Sequence, residues 1–297
     1  MTFESRHIGN RKSGGGNMLR MILMIAILFA IVLVIRKFVS VESPSEKSML
    51  KSEGNEQGFW PKIRGEEVHH STFMLDYNEG SEQPNWVAYI LTKDELDRPS
   101  VGRTDWFEKD TTVSTGSAEF YDYKNSGYTK GHLVPSADRV WNRKVNEETF
   151  LMSNISPQKY YFNGGIWREL EENVRDWARI HHRLYIVTGP MLSKGGERET
   201  IGENGVEVPN AFFKVILEMG NPGINAIGFI IPNEKSDRKL EEYALTIDEV
   251  EDELGYNFYS NLFDADLEIK IESGIKISNW NFDQDRYRER INIWNKR

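Results

Sequence analysis

Between Tyr121 and Glu171 the chain gathers side chains that suit the hydrolysis of a phosphodiester. The run Tyr128-Thr-Lys-Gly-His-Leu-Val-Pro135 leads into Ser136-Ala-Asp-Arg139. After it come Ser153-Asn-Ile-Ser-Pro-Gln158, Asn163-Gly-Gly-Ile-Trp167 and Leu170-Glu171. Such a reaction needs a base that takes a proton from water at neutral pH, and His is the usual one. It needs a hard divalent ion to stabilise charge on the phosphate and on the leaving oxygen. The amide and carboxylate oxygens of Asn and Glu suit Mg²⁺. It also needs cationic donors for the nonbridging oxygens, and Lys and Arg flank the histidine here. Spacing limits the roles. On one helix, Asn163 and Glu171 would stand about 12 Å apart along the axis. Two direct ligands of one ion do not fit that separation. Because Mg²⁺ keeps several waters, Glu171 is expected to hold a water on the metal.

These motifs resemble those of the DNA/RNA non-specific endonucleases, the group that includes mitochondrial endonuclease G. The family hallmark is Asp-Arg-Gly-His with a Pro three residues on, then Asn-x-x-Pro-Gln, then Asn and Trp-x-x-Leu-Glu. Here Gly131-His132-Leu133-x-Pro135, Asn154-Ile-Ser-Pro157-Gln158, Asn163 and Trp167-x-x-Leu170-Glu171 stand in the same order and spacing. The likeness runs from about His69 to Phe263, with Trp86-Val-Ala-Tyr89 at its start and Thr188-Gly-Pro190 after the third motif. It implies a ββα-metal motif, two strands and a helix around one divalent ion, set in a larger sheet. It implies His132 as general base, Asn163 as the protein ligand of one Mg²⁺ (or Mn²⁺), Glu171 as the group ordering a metal-bound water, and Asn154 as support for His132. It implies products with a 5′-phosphate. Two positions depart from the pattern. The family's Asp-Arg is Thr129-Lys130 here. Lys130 keeps the charge but loses the bidentate fork, so it is expected to bind phosphate as a point charge, with slower turnover. For a further phosphate-contacting Arg of the family, the candidate is Arg103, in Gly102-Arg-Thr-Asp-Trp106.

The elements that must position these groups are legible in outline. Asn85–Thr92 and His182–Thr188 are rich in β-formers, the second ending at Gly189-Pro190. Ala211–Met219 and Asn225–Ile231 form two more strands, joined by the turn signal Gly220-Asn-Pro-Gly223. A helix is predicted from about Gly164 to His181, with Trp167, Leu170, Val174, Trp177 and Ala178 on one stripe. Thr246-Ile-Asp-Glu249 is a capping box for a short helix closed by Gly255. Strands and helices mix without a βαβ period. The expected fold is therefore α+β, with a mostly antiparallel central sheet flanked by helices and an N-terminal transmembrane helix.

The chain has 297 residues, no cysteine and a formal charge of −9. Disulfides, a Cys-based zinc site and a Cys nucleophile are excluded. So is coating of nucleic acid by bulk charge. The acidity is local. Glu241–Glu272 carries eleven acids and one base, whereas Phe120–Val145 is net +3. The acidic stretch reads as a solvated face. The pairs His69-His70 and His181-His182 read as structural, since adjacent side chains diverge. Trp141, Trp167 and Trp177 are expected in the core. The basic tail (Arg286, Arg288, Arg290, Lys296, Arg297) reads as an amphipathic end helix packed by Ile291 and Trp294.

Met21–Ile35 holds no charge, and basic residues dominate before it. The expected organisation is a cytoplasmic tail over 1–17, an uncleaved signal anchor over 18–38, a flexible linker over 39–58 and the nuclease domain over 59–297. That places the domain outside the cytoplasm, in a bacterial envelope or, alternatively, the mitochondrial intermembrane space. DNA and RNA are the expected partners, besides the membrane itself. A homodimer is left open, and the residues do not say whether an inhibitor protein exists. The alternative readings are a non-catalytic nucleic-acid binder or envelope scaffold on the same fold, and a hydrolase of some other phosphate ester.

Overall fold

The computed structural model describes residues 58–220 and 223–296. The expected tail and anchor, and the linker up to residue 57, lie outside the described residues. Among the described residues, no helix is long and apolar enough to cross a membrane.

The centre is a seven-stranded sheet built from β1 (Glu66–His69), β2 (Phe73–Asn78), β3 (Gln83–Thr92), β6 (Arg183–Met191), β9 (Ala211–Gly220), β10 (Gly223–Pro232) and β11 (Ala244–Leu245), adjacent in that order. Every neighbouring pair is antiparallel. Two small sheets stand apart. One pairs β4 (Thr129–His132) with β5 (Ile155–Gln158), the other β7 (Thr200–Ile201) with β8 (Val206–Glu207). Among the described residues six α-helices accompany them: α1 (Lys93–Leu96), α2 (Arg143–Glu148), α3 (Arg168–His181), α4 (Ile247–Leu254), α5 (Ala265–Glu272) and α6 (Gln284–Asn292).

The sheet is covered on both faces. On one, the α3 stripe of Trp167, Leu170, Val174, Trp177 and Ala178 packs with Leu184, Ile186, Phe212, Ile216 and Phe229. On the other, Val250 of α4 fits into the space left by Gly228, Phe258 meets the ring of Phe213, and Phe59 meets Tyr185. Both sides of β6 and β9 are therefore apolar, which explains why their residues do not alternate with polar ones.

Three expectations change. The strand read as ending at Gly189-Pro190 continues to Met191. Its pairing with β3 ends at Thr188, while pairing with β9 carries on to Met191. Pro190 thus faces a side where no β3 partner needs its missing N–H. The long helix starts at Arg168. Before it, Phe162–Trp167 forms a π-type turn broken at Gly165 (φ −114°, ψ −111°), so Asn163 and Glu171 are not on one regular helix. The acidic stretch is only partly solvated: Glu272 is buried and Glu251 half-buried. Asn221 and Pro222, the middle of the expected turn, lie outside the described residues, but Gly220 pairs with Gly223 at the ends of the flanking strands. The α4 capping box forms, with Thr246 Oγ1 accepting from Glu249 N and Gly255 left-handed after the last turn.

Candidate active site

Strands β4 and β5 set the first three groups. In their register Lys130 opposes Pro157, Gly131 opposes Ser156 and His132 opposes Ile155. The buried Gln158 side chain lies over Gly131, where a Cβ would meet it at 2.0 Å. A side chain at the position before the histidine would have to displace Gln158. Asn154, fully buried, ties the next turn to this pair. Its Oδ1 accepts from Val134 N (2.9 Å), and its Nδ2 donates to Val134 O (3.0 Å) and Thr149 O (2.9 Å). Asn154 therefore fixes the backbone directly after His132.

His132 is half-buried in an aromatic box. Its ring lies 4.8 Å from that of Phe150 and 5.6 Å from that of Phe107. Nε2 is buried and has no hydrogen-bond partner among the described residues. Burial, helped by the charge of Arg103, pushes its pKa down to about 3. The imidazole is neutral at physiological pH, the form that can accept a proton. Lys130 Nζ stands over the rings of Phe120 (4.4 Å) and Phe107 (5.2 Å), and partial burial lowers its pKa. Arg103 is exposed. It pairs with Asp105, donates to Ser136 Oγ (3.2 Å) and covers the Phe150 ring at 5.0 Å.

Asn163 and Glu171 come from the segment opposite. Asn163 Nδ2 donates to Thr129 Oγ1 (2.8 Å), and Thr129 Oγ1 donates in turn to Gln158 O (2.9 Å). With Nδ2 engaged, Oδ1 is the atom left for a cation. Asn163 lines a cleft of about 220 Å³ with Thr129, Tyr160, Gly164, Arg168 and Trp294. Glu171 sits in the first turn of α3. Burial raises its pKa, while Arg175 and Lys214 draw it down. The Asn163 amide oxygen is the kind of hard donor a divalent ion takes, and Glu171 is not among the residues lining its cleft. A larger groove of about 890 Å³, lined by Glu67, His69, Thr92, Glu95 and Arg98, contains none of the motif residues.

Several groups at this site escaped the sequence reading. Lys214, on β9, is buried with its Nζ unpaired among the described residues and 5.0 Å from the Trp167 ring. Arg175 pairs with buried Asp138 at 3.0 Å, and Tyr89 donates to the same carboxylate at 3.3 Å. The signal for Lys214 was one charge inside the run Ala-Phe-Phe-Lys-Val-Ile-Leu. Period two puts it on the same side as Phe212 and Ile216. The aromatics Phe107, Phe120 and Tyr160 around the site were also missed. Trp167 and Trp177 are buried as expected, while Trp141 is half-buried beneath Arg98. His70 pairs with Asp110 at 3.0 Å and His69 with Glu67 at 2.8 Å, both structural contacts. In the basic tail, Arg286 pairs with Glu172 and Asp176, and buried Arg290 pairs with Glu169. Ile291 is half-buried and Trp294 buried.

Comparison with known proteins places this arrangement. The family model described as DNA/RNA non-specific endonuclease matches residues 51–265. The mitochondrial nuclease EXOG of Xenopus laevis is 32% identical over 246 residues, covering 77% of this chain and 66% of that protein. The mitochondrial endonuclease G of Bos taurus is 31% identical over 205 residues (65% and 68%), and a nuclease of Nostoc sp. 33% over 215 residues (68% and 76%). The chain thus spans about two thirds or more of the length of these relatives. The fold superposes on EndoG from its complex with EndoGI with a TM-score of 0.62 at 28% identity, covering 67% of this chain and 87% of that one. The chain belongs to the DNA/RNA non-specific endonuclease family.

Proposed function

We propose that this chain is a metal-dependent endonuclease that hydrolyses phosphodiester bonds in DNA and RNA without strong sequence preference, leaving 5′-phosphates. The observation that carries the reading is a neutral, half-buried His132 on β4, beside a strand pair tied through Thr129 to Asn163. Asn163 Oδ1 would hold Mg²⁺ (or Mn²⁺), with Glu171 acting through water. When bound, the ion would supply charge stabilisation on the phosphate and the leaving 3′-oxygen. His132 takes the proton of the attacking water. Lys130 and Arg103 hold nonbridging oxygens as cations, and Asn154 keeps the turn after His132 in place. None of these groups reads a base edge, which suits weak sequence preference. The intact His132, Asn163 and Glu171 favour an enzyme over a non-catalytic binder.

We place the activity outside the cytoplasm. Relatives named mitochondrial fit the intermembrane-space alternative, and the Nostoc nuclease fits a bacterial setting. The test is digestion of plasmid and RNA by the full chain in Mg²⁺ or EDTA, alongside His132→Ala. We expect both substrates to be cut in Mg²⁺ only, and the variant to lose about 10²–10⁴-fold in rate while still binding polynucleotide. Folded protein that cuts neither substrate in Mg²⁺ or Mn²⁺ would move the binder reading to the front.

A further inference from the structure

On the sheet face away from α3, the helices α4 and α5 present carboxylates to one another. Asp248 and Glu251 lie three residues apart on α4, and Glu268 and Glu272 four apart on α5. These spacings put each pair on one side of its helix. One oxygen from each of Asp248, Glu251 and Glu272 lies within 4.8 Å of the other two. Among the described residues it is the only His, Cys, Asp and Glu group with that geometry.

Acidic clusters on a surface are common and mean little. This one differs in Glu272, which is 3% exposed yet has an oxygen, Oε1, with no hydrogen-bond partner among the described residues. A buried carboxylate oxygen left unpaired is costly. The charges acting on Glu272 are those of Glu251, Glu268 and Asp248, all of its own sign. Burial and these neighbours push its pKa up to about 9, and burial above all pushes Glu251 up to about 7. The loop between the helices holds two acids in place: Phe258 N donates to Glu251 Oε1 (2.5 Å) and Asn257 Nδ2 to Glu268 Oε1 (3.0 Å).

We infer that Asp248, Glu251 and Glu272 form a second, structural cation site that binds Ca²⁺ and joins α4 to α5. Oxygens within 4.8 Å of one another can share one Ca²⁺ at Ca–O bonds of about 2.4 Å. The donor set selects the ion. Zinc prefers nitrogen and sulfur ligands, and Mg²⁺ is usually bound by one or two carboxylates and several waters, whereas Ca²⁺ accepts three or more carboxylates in flexible geometry. The cation would supply the partner that Glu272 Oε1 lacks. This site is independent of the nuclease reading, since it shares no residue with it.

The experiment uses the full chain, stripped with EDTA and carrying Asn163→Ala so that the candidate catalytic site contributes nothing. Ca²⁺ is titrated by calorimetry and by thermal unfolding. We expect saturable binding of one ion and a rise in Tm of about 5 °C at one hundred times Kd. Glu272→Gln should abolish the rise, yet raise the Tm in EDTA at neutral pH because folding no longer has to neutralise a buried acid by taking up a proton. Should that variant fail to fold, Asp248→Asn at the rim should weaken Kd at least tenfold. In the otherwise unchanged chain, Asp248→Asn should leave the digestion rate in Mg²⁺ as it is. The absence of a saturable response to Ca²⁺, or a response that survives both Asp248→Asn and Glu251→Gln, would overturn the site. A Tm gain in EDTA for Glu272→Gln without any response of the parent to Ca²⁺ would overturn it too, since a proton would then be the only partner of Glu272.

Discussion

The two faces of the central sheet bury carboxylates in opposite ways. On the α3 face, Asp138 meets Arg175 and Tyr89, and Glu171 lies in the field of Arg175 and Lys214. Signs alternate, and each acid has a cation beside it. On the α4–α5 face, Asp248, Glu251 and Glu272 repel one another. In a mixed cluster the cations offset part of the cost of burying each acid. A cluster of one sign needs a proton or a metal ion. Burial raises both, but cations hold Glu171 to about 7, whereas Glu272, among acids alone, is pushed up to about 9.

Neutralising one member on each face should move stability in opposite directions. Arg175→Ala leaves Asp138 buried without its cation and should cost about 3 kcal/mol, read by denaturant unfolding in EDTA. Asp248→Asn, at the partly exposed rim, should stabilise in EDTA by about 0.5 kcal/mol. If both changes destabilise alike, the contrast between the faces fails.

A second prediction concerns pH. The pKa of His132 is lowered on folding, so the unfolded chain takes up its proton first. Its contribution to stability is fully present above about pH 6.5 and is lost as pH falls from there toward about 3. His132→Gln should flatten the fall of Tm toward pH 3, while Glu272→Gln should change the curve only above about pH 4.5, where its own raised pKa acts. A change in rate rather than stability is expected for Lys130→Arg. It restores the fork to a site that has only a point charge and should raise kcat/KM on plasmid about threefold to tenfold. A loss of activity would mean that the box of Phe107 and Phe120 is fitted to an ammonium.

Much of the α3 face was legible because its determinants are local. Gly131-His132, Asn154, Asn163 and Glu171 lie within about forty residues of one another, and the stripe from Trp167 to Ala178 announces its helix. Thr129 looked like the loss of a charge. The structure gives it the task of holding Asn163 through its hydroxyl. What could not be read was pairing between distant segments. Lys214 reaches Glu171 only because β9 lies in the sheet beneath α3, and Arg290 reaches Glu169 across more than a hundred residues. The acidic stretch was read as solvated because charge counts carry no packing. Nothing in the spacing of Asp248 and Glu272 says that their two helices fold against each other.

The clamp on α3 has a consequence for the order in which the molecule is made. Arg290 of α6 pairs with Glu169 and donates to the carbonyls of Ser236 and Arg238, all within or next to the protein interior. Glu169 precedes Glu171 by two residues. The ribosome delivers α6 long after every candidate catalytic residue has emerged. Until then the start of α3 carries a buried acid with no cation, and the segment that bears Glu171 is unlatched. A nascent chain therefore carries every candidate site residue before it carries the contact that braces the start of α3.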